Sequence, residues 1–276
     1  MKTAFITGAT DGIGKATAGK LLAEGWKVVI LGRDHNKCKD TVSELTKISK
    51  EVSSIVCDLS IMKDVNKAID AFLSQNKRLD VLLLNANAIA NERMITAEGN
   101  EQNFAVGYLS RVLMIERLQT ILESTPNAQI LSVVGMDYNR IDFEDLTIEK
   151  EFTGRKGLTR WQWAMNVYTR AYNEKSHVPL NLYMPGLVKT KIWANEPQPM
   201  RLFVQVMNKI VGISVEKAAD NIFHVINEIT KNAKKSVCYA WRKERSFPKI
   251  EMQIGDQEKL LETNKQIFQQ FNFKNN

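Results

Sequence analysis

Thr7-Gly8-Ala9-Thr10-Asp11-Gly12-Ile13-Gly14 is the stretch that decides the fold. An apolar run, Thr3 to Thr7, leads into it, and a helix-length segment, Gly12 to Glu24, leads out. A strand, a glycine-rich turn and a helix in that order make a cradle for a dinucleotide pyrophosphate. Gly8 permits the tight turn, Gly12 lets the backbone approach the phosphates, and Gly14 lets the helix lie close to the sheet. The phosphates then meet the backbone N–H groups of the helix N-terminus. Thr10, Asp11 and Ile13 complete the candidate loop.

Working outward, short β-branched runs alternate with helix-length amphipathic segments. Further strands are expected at Lys27 to Leu31, Ser53 to Cys57, Val81 to Leu84, Gln129 to Val134, Leu180 to Met184 and Ser236 to Trp241. Helices are expected at Asn36 to Lys50, Met62 to Gln75, Asn100 to Leu122, Lys156 to Lys175, Val215 to Thr230 and Asp256 to Phe271, the last with Asp256 as N-cap. Strands that are apolar nearly throughout, each followed by a helix, predict a parallel sheet covered on both faces. The expected architecture is α/β: a Rossmann-type doubly wound sheet of about seven strands. One dinucleotide-binding domain is expected to span residues 1–276, with a lid at 191–213. Pro197 and Pro199 break the start of that segment, and Leu202, Phe203, Val206, Met207, Ile210 and Val211 give it one apolar face, for which plain core packing and a membrane-touching surface are the alternatives.

Composition excludes several classes. The 276 residues carry 38 Lys and Arg against 31 Asp and Glu, a net charge of +7, but the basic residues are spread along the chain. That is a solvated surface rather than a nucleic-acid module. No apolar run is long enough to span a membrane. The first residues pass straight into a strand, so no secretory signal is expected. Cys38, Cys57 and Cys238 are an odd, scattered trio, and His35, His177 and His224 lie far apart. Neither set has metal-ligand or disulfide spacing, and the expected compartment is the reducing cytoplasm.

The second strand ends Ile30-Leu31-Gly32-Arg33-Asp34. Where an NAD site places a carboxylate for the ribose 2′-hydroxyl, this chain places the Arg33 guanidinium, which suits a 2′-phosphate and therefore NADP(H). The alternative is a surface ion pair of Arg33 with Asp34 or Asp40. Asp58, at the end of the third strand, stands where a carboxylate can accept from an adenine amino group.

With these residues in view the chain resembles the short-chain dehydrogenase/reductase family, and within it the retinol-dehydrogenase-like branch, over nearly its whole length. Thr7 to Gly14 matches the pattern Thr-Gly-x-x-x-Gly-x-Gly, and Asp58-Leu59 matches the adenine-contacting pair. Asn85-Ala86-Asn87 matches Asn-Ala-Gly with the glycine replaced. Glu101 to Val106 and Ile141 to Leu146 look branch-typical. Pro185-Gly186-Leu187-Val188-Lys189-Thr190 matches the loop that closes over the nicotinamide, where the resemblance gives the Thr190 position the carboxamide or a nearby phosphate.

The same resemblance implies a catalytic tetrad of Asn, Ser, Tyr and Lys. Tyr exchanges the proton, Lys lowers its pKa and holds the nicotinamide ribose, Ser orients the carbonyl, and Asn holds a relay water. A phenol with a pKa near 10 needs such a cation to act at neutral pH. Here the Asn position is Gly107 and the Ser position is Gly135, or Val134 with a one-residue shift. The Tyr position is Thr159 and the Lys position is Trp163. Between Lys150 and Lys175 no Tyr is followed four residues later by Lys. Trp163 and Asn87 both add bulk toward the nicotinamide end. Lys156, Tyr138 and Tyr183 are the candidates for substitute acid-base groups, each with an ordinary packing or surface role as its alternative.

Three functions are compatible with this pattern. One is an NADP(H)-binding protein using non-classical chemistry on a small apolar molecule, either non-redox or a reduction that needs no proton donor. Another is a non-catalytic cofactor sensor or the inactive partner of an active homologue, in a homodimer or hetero-oligomer. The third is an NADP-dependent oxidoreductase with relocated catalytic residues.

Overall fold

Residues 1–88, 90–190, 198, 202, 206–207, 210–231 and 236–271 are described by the computed structural model. The first apolar run forms β1 (Thr3–Thr7), and the chain continues through α1 (Gly12–Ala23), β2 (Lys27–Gly32), α2 (His35–Leu45), β3 (Val52–Val56), α3 (Met62–Gln75) and β4 (Val81–Leu84). The second half runs α4 (Gln102–Phe104), a π-turn (Ala105–Leu109), α5 (Ser110–Arg117), α6 (Gln119–Ser124), β5 (Gln129–Val133) and α7 (Gly154–Lys175). It ends with β6 (Leu180–Met184), α8 (Val215–Lys231), β7 (Cys238–Ala240), β8 (Lys243–Arg245) and α9 (Asp256–Gln269).

The eight strands make one sheet in the order β3-β2-β1-β4-β5-β6-β7-β8. The first seven pair in parallel, and β8 folds back antiparallel on β7. The doubly wound sheet is as expected, with one strand more than the seven read from sequence. Lys243-Glu244-Arg245 has no apolar residue to announce it, and all three are exposed.

Alternating side chains feed two cores, because successive Cβ atoms of a strand point to opposite faces. Phe5 faces α3, where its ring stacks on Phe72 at 4.5 Å. Ala4 and Ile6 face the other way, toward Leu21 and Leu22 of α1 and Ile222, Val225 and Ile226 of α8. The Phe5 face also buries α5, α7 and Leu260 of α9. Each fully buried Leu or Ile contributes about 1.5–3 kcal/mol relative to exposure.

β1 sits between β2 and β4, and the chain leaves β1 toward one face and β4 toward the other. That divergence opens a crevice at the C-terminal ends of β1 and β4, the switch point where ligands of such sheets bind.

Two local expectations are corrected. The continuous helix over Asn100 to Leu122 is broken into α4, the π-turn, α5 and α6. The apolar period is continuous there, but Gly107 lies against the Trp161 ring, and tertiary contact sets the local winding. Asp256 is not the N-cap of α9; Gly255 holds that place in the left-handed region, φ 85°. The Asp256 carboxylate instead binds Arg140 through two bonds of 2.7 and 2.6 Å, which hold its pKa below the ordinary value.

Candidate functional site

The glycine loop is held from beneath by Asn85 and Thr7. Thr7 Oγ1 accepts from the backbone N–H groups of Asn85 and Ala86, both at 3.0 Å, and Asn85 Nδ2 donates to the Thr7 and Gly8 carbonyls at 3.1 Å. Gly8, at φ +63°, lies so close to Ala86 that a Cβ would stand 2.8 Å from its Cα. At Gly14 a Cβ would stand 2.4 Å from the Gly8 carbonyl oxygen. Gly12 is different: at φ +54° the nearest atom to its missing Cβ is Thr190 Cγ2, 3.7 Å away. The loop is therefore tight at both ends and open at its crest, the shape a pyrophosphate needs. Asp11 caps α1, accepting from Gly12 N at 2.7 Å. Thr10 packs its methyl over Gly32, and Ile13 packs against the α1 core.

Arg33 is exposed at the end of β2. Asp34 is engaged at the N-terminus of α2, accepting from Lys37 N at 2.9 Å. Among the described residues, neither Asp34 nor Asp40 pairs with Arg33. Asp58 Oδ1 is fixed by Ser60 N and Oγ at 2.9 and 2.8 Å, and Leu59 is buried beside it. Pro185 and Gly186 follow β6, and Thr190 brings this loop to Gly12. Gly186, at φ +72°, meets the Trp241 indole, whose Nε1 would stand 2.8 Å from a Cβ there.

The predicted tetrad positions are filled by core packing. At Gly107 a Cβ would stand 2.4 Å from Trp161 Cδ2, so the indole occupies the space a side chain would take. At Gly135 a Cβ would stand 2.4 Å from Gln162 Oε1. Thr159 is fully buried and turns its hydroxyl back to the Arg155 carbonyl at 2.9 Å. Trp163 is fully buried, lies edge-on to Phe143, and donates Nε1–H to the Glu251 carbonyl at 2.6 Å. Asn87 is exposed.

The substitute candidates fare no better. Tyr138 donates its hydroxyl to the Gly135 carbonyl at 2.8 Å, and burial pushes its pKa up. Tyr183 belongs to the opposite core, beside α8, and burial raises its pKa as well. Lys156 Nζ reaches back to the Lys150 carbonyl at 3.4 Å. Neither phenol is poised to move a proton at neutral pH.

Sequence reasoning missed Arg111. It is 2% exposed and donates to Ser132 Oγ, the Val133 carbonyl and the Ala86 carbonyl, each at 2.7 Å. Its guanidinium lies 4.6 Å from the centre of the Trp161 ring. The signal was present as a lone charge ahead of Val112-Leu113-Met114-Ile115. A separate hollow of about 350 Å³, lined by Leu122, Pro126, His177, Pro179 and Ile229, lies where β5 and β6 begin, at the other end of the sheet from this crevice.

Comparison with known proteins fits this picture. The family model for short chain dehydrogenase matches residues 2–138. Human retinol dehydrogenase 14 is 28% identical over 211 residues, covering 69% of this chain and 63% of the relative. The short-chain dehydrogenase/reductase prx1 of Penicillium rubens is 32% identical over 199 residues, covering 68% of this chain and 58% of the relative. The chain thus spans less than two thirds of the length of either. An alcohol dehydrogenase from Thermococcus sibiricus, solved with 5-hydroxy-NADP, superposes with a TM-score of 0.66 at 19% identity, covering 91% of this chain and all of that one. The loop, the strand order and these matches agree: the chain belongs to the short-chain dehydrogenase/reductase family, in its retinol-dehydrogenase-like branch.

Proposed function

We propose that this chain binds NADP(H) on the Gly8–Gly14 loop and has given up classical carbonyl reduction. One observation carries the reading: Gly107 admits Trp161 and Gly135 admits Gln162, so two positions of the proton-relay site are closed by interlocking core residues. The cofactor cradle beside them keeps its tight ends and open crest. Bound NADPH supplies a hydride. The residues that would hold it are Gly8, Thr10, Asp11, Gly12, Ile13 and Gly14 at the pyrophosphate, Arg33 at the 2′-phosphate, and Asp58 and Leu59 at the adenine. Asn85, Ala86, Pro185, Gly186 and Thr190 would line the path to the nicotinamide. With no activated hydroxyl, the chemistry left to the site is non-redox or is reduction of a centre already electrophilic.

A small apolar molecule is the substrate class. Leu202, Val206, Ile210 and Val211, in the segment read from the sequence as a lid, are 57%, 46%, 71% and 56% exposed. Most of that segment, 191–213, lies outside the described residues. The three thiols are free and buried, which fits a reducing compartment such as the cytoplasm. Among the described residues no helix is long and apolar enough to cross a membrane.

Titration of the full chain with NADPH, with NADH as control, tests the reading through tryptophan quenching. NADPH is expected to bind at least tenfold tighter than NADH, and Arg33→Ala is expected to erase the difference. Simple aldehydes and ketones are expected to give no turnover. Absence of nucleotide binding, or brisk turnover of such carbonyls, would refute the proposal.

A further inference from the structure

The inference rests on the NADP(H) reading and concerns which redox state the site holds. Among the described residues one arginine besides Arg111 is buried, Arg160. It donates to the Asp145 and Leu146 carbonyls and lies in the field of the Glu101, Asp145 and Asp142 carboxylates. Arg111 lacks such a field. Its three acceptors are two carbonyls and a hydroxyl, all neutral, and no carboxylate faces it. Its Nε and the Trp161 indole N–H have no partner among the described residues. Burial pushes its pKa down to about 9, so the guanidinium still carries its charge at neutral pH. A buried unpaired charge is costly and is rarely retained without a use.

Its position supplies the use. Ser132 and Val133 are the last residues of β5, and Ala86 lies two residues beyond β4. Ala86 also forms the floor under Gly8 and donates its N–H to Thr7 Oγ1. One residue therefore separates the guanidinium from the phosphate loop, at the strand ends over which a dinucleotide continues from that loop toward its nicotinamide. The nicotinamide ring carries one positive charge in NADP+ and none in NADPH, which has gained a hydride. A fixed cation near the path of that ring would oppose the oxidised form more than the reduced one.

We propose that Arg111 is a specificity-determining residue that makes the site select NADPH over NADP+. It acts through its field, without contact, and Trp161 and the three acceptors hold it in place. Two unit charges within about 10 Å at an effective dielectric of about 20 repel enough for a preference on the order of tenfold. For a two-electron couple a tenfold preference is about 30 mV, raising the potential of the bound cofactor. Such a site retains the reduced cofactor and is a poor hydride donor, in keeping with a protein that has closed its proton relay.

Calorimetric titration of the full chain tests this with NADPH, NADP+ and 2′-phospho-ADP-ribose, the last lacking the nicotinamide. The wild type is expected to bind NADPH about tenfold tighter than NADP+, and NADP+ no tighter than the ring-free analogue. Arg111→Met is expected to bring the two redox forms to equal affinity, and Arg111→Lys to keep the preference. If Arg111→Met does not fold, the wild-type comparison with the ring-free analogue decides. Equal wild-type affinities for the two redox forms, or a preference that a folded Arg111→Met retains, would overturn the inference and leave the cofactor reading standing. Failure of all three nucleotides to bind would overturn both.

Discussion

Gly107→Ala adds a single methyl group and should destabilise this protein. The Cβ would lie 2.4, 2.5 and 2.7 Å from Cδ2, Cγ and Cε2 of Trp161. The ring cannot retreat, since it is fully buried with the Arg111 guanidinium 4.6 Å from its centre. Overpacking of this kind costs about 3 kcal/mol. Replacing glycine by alanine within a helical stretch returns up to about 1 kcal/mol. The net loss is therefore about 2 kcal/mol, or about 4 °C in Tm for a chain of this length. Trp161→Leu alone should cost about 2–4 kcal/mol through the cavity it opens. In the double variant the new methyl enters that cavity, so the two losses should fall short of additivity by about 1–2 kcal/mol. Thermal and urea unfolding of the four proteins, followed by circular dichroism, measures this cycle. A Gly107→Ala protein more stable than wild type, or strict additivity in the double variant, would refute the claim that glycine and indole share one space.

Further outcomes are expected. Gly8→Ala meets both a left-handed φ and the Ala86 backbone and should cost about 2–4 kcal/mol, whereas Gly12→Ala has room and should cost only about 1 kcal/mol. Both should weaken NADPH binding in the same titration, Gly12→Ala because its methyl stands where the phosphates approach. The Arg140–Asp256 pair should show itself in pH-dependent melts. The Asp256 pKa is depressed in the folded state, so the pair's contribution is complete above the unfolded value near 3.8 and fades as pH falls through the folded value. Asp256→Asn should lower Tm by about 4 °C at pH 7, for a loss of about 2 kcal/mol, and the gap to wild type should begin to narrow only below about pH 4. Joint restoration by Thr159→Tyr and Trp163→Lys should yield no carbonyl turnover and a lower melting temperature, because both positions are fully buried and the lysine ammonium would be left without an anion. Turnover in an NADPH-oxidation assay would count against the closed-site reading.

Much of this was legible from local chemistry. The turn glycines, the alternating strands and the helix periods follow from residues near one another in sequence, so the doubly wound sheet could be read ahead of the structure. β8 was not, because Lys243-Glu244-Arg245 is held by backbone pairing to β7 rather than by burial. The reciprocity of Gly107 with Trp161 and of Gly135 with Gln162 joins residues far apart in the chain. Sequence shows the two missing side chains, while only packing shows what took their room. Arg111 was hidden for the same reason, since its acceptors come from the ends of two strands. Trp163, read as crowding the nicotinamide, is occupied with Phe143 and the Glu251 carbonyl.

The short final hairpin has a consequence for assembly. By folding back on β7, β8 uses up the backbone donors and acceptors that β7 would otherwise offer a neighbouring chain, and its Lys243, Glu244 and Arg245 side chains put charge along the new rim. Such a rim discourages strand-to-strand joining. The sheet's other border, β3, has no charged side chain along Val52–Val56, and its residues are half-buried or exposed, with Val56 47% accessible. Two copies merging their sheets would therefore meet along β3, and growth from the β8 side would first require peeling the hairpin away.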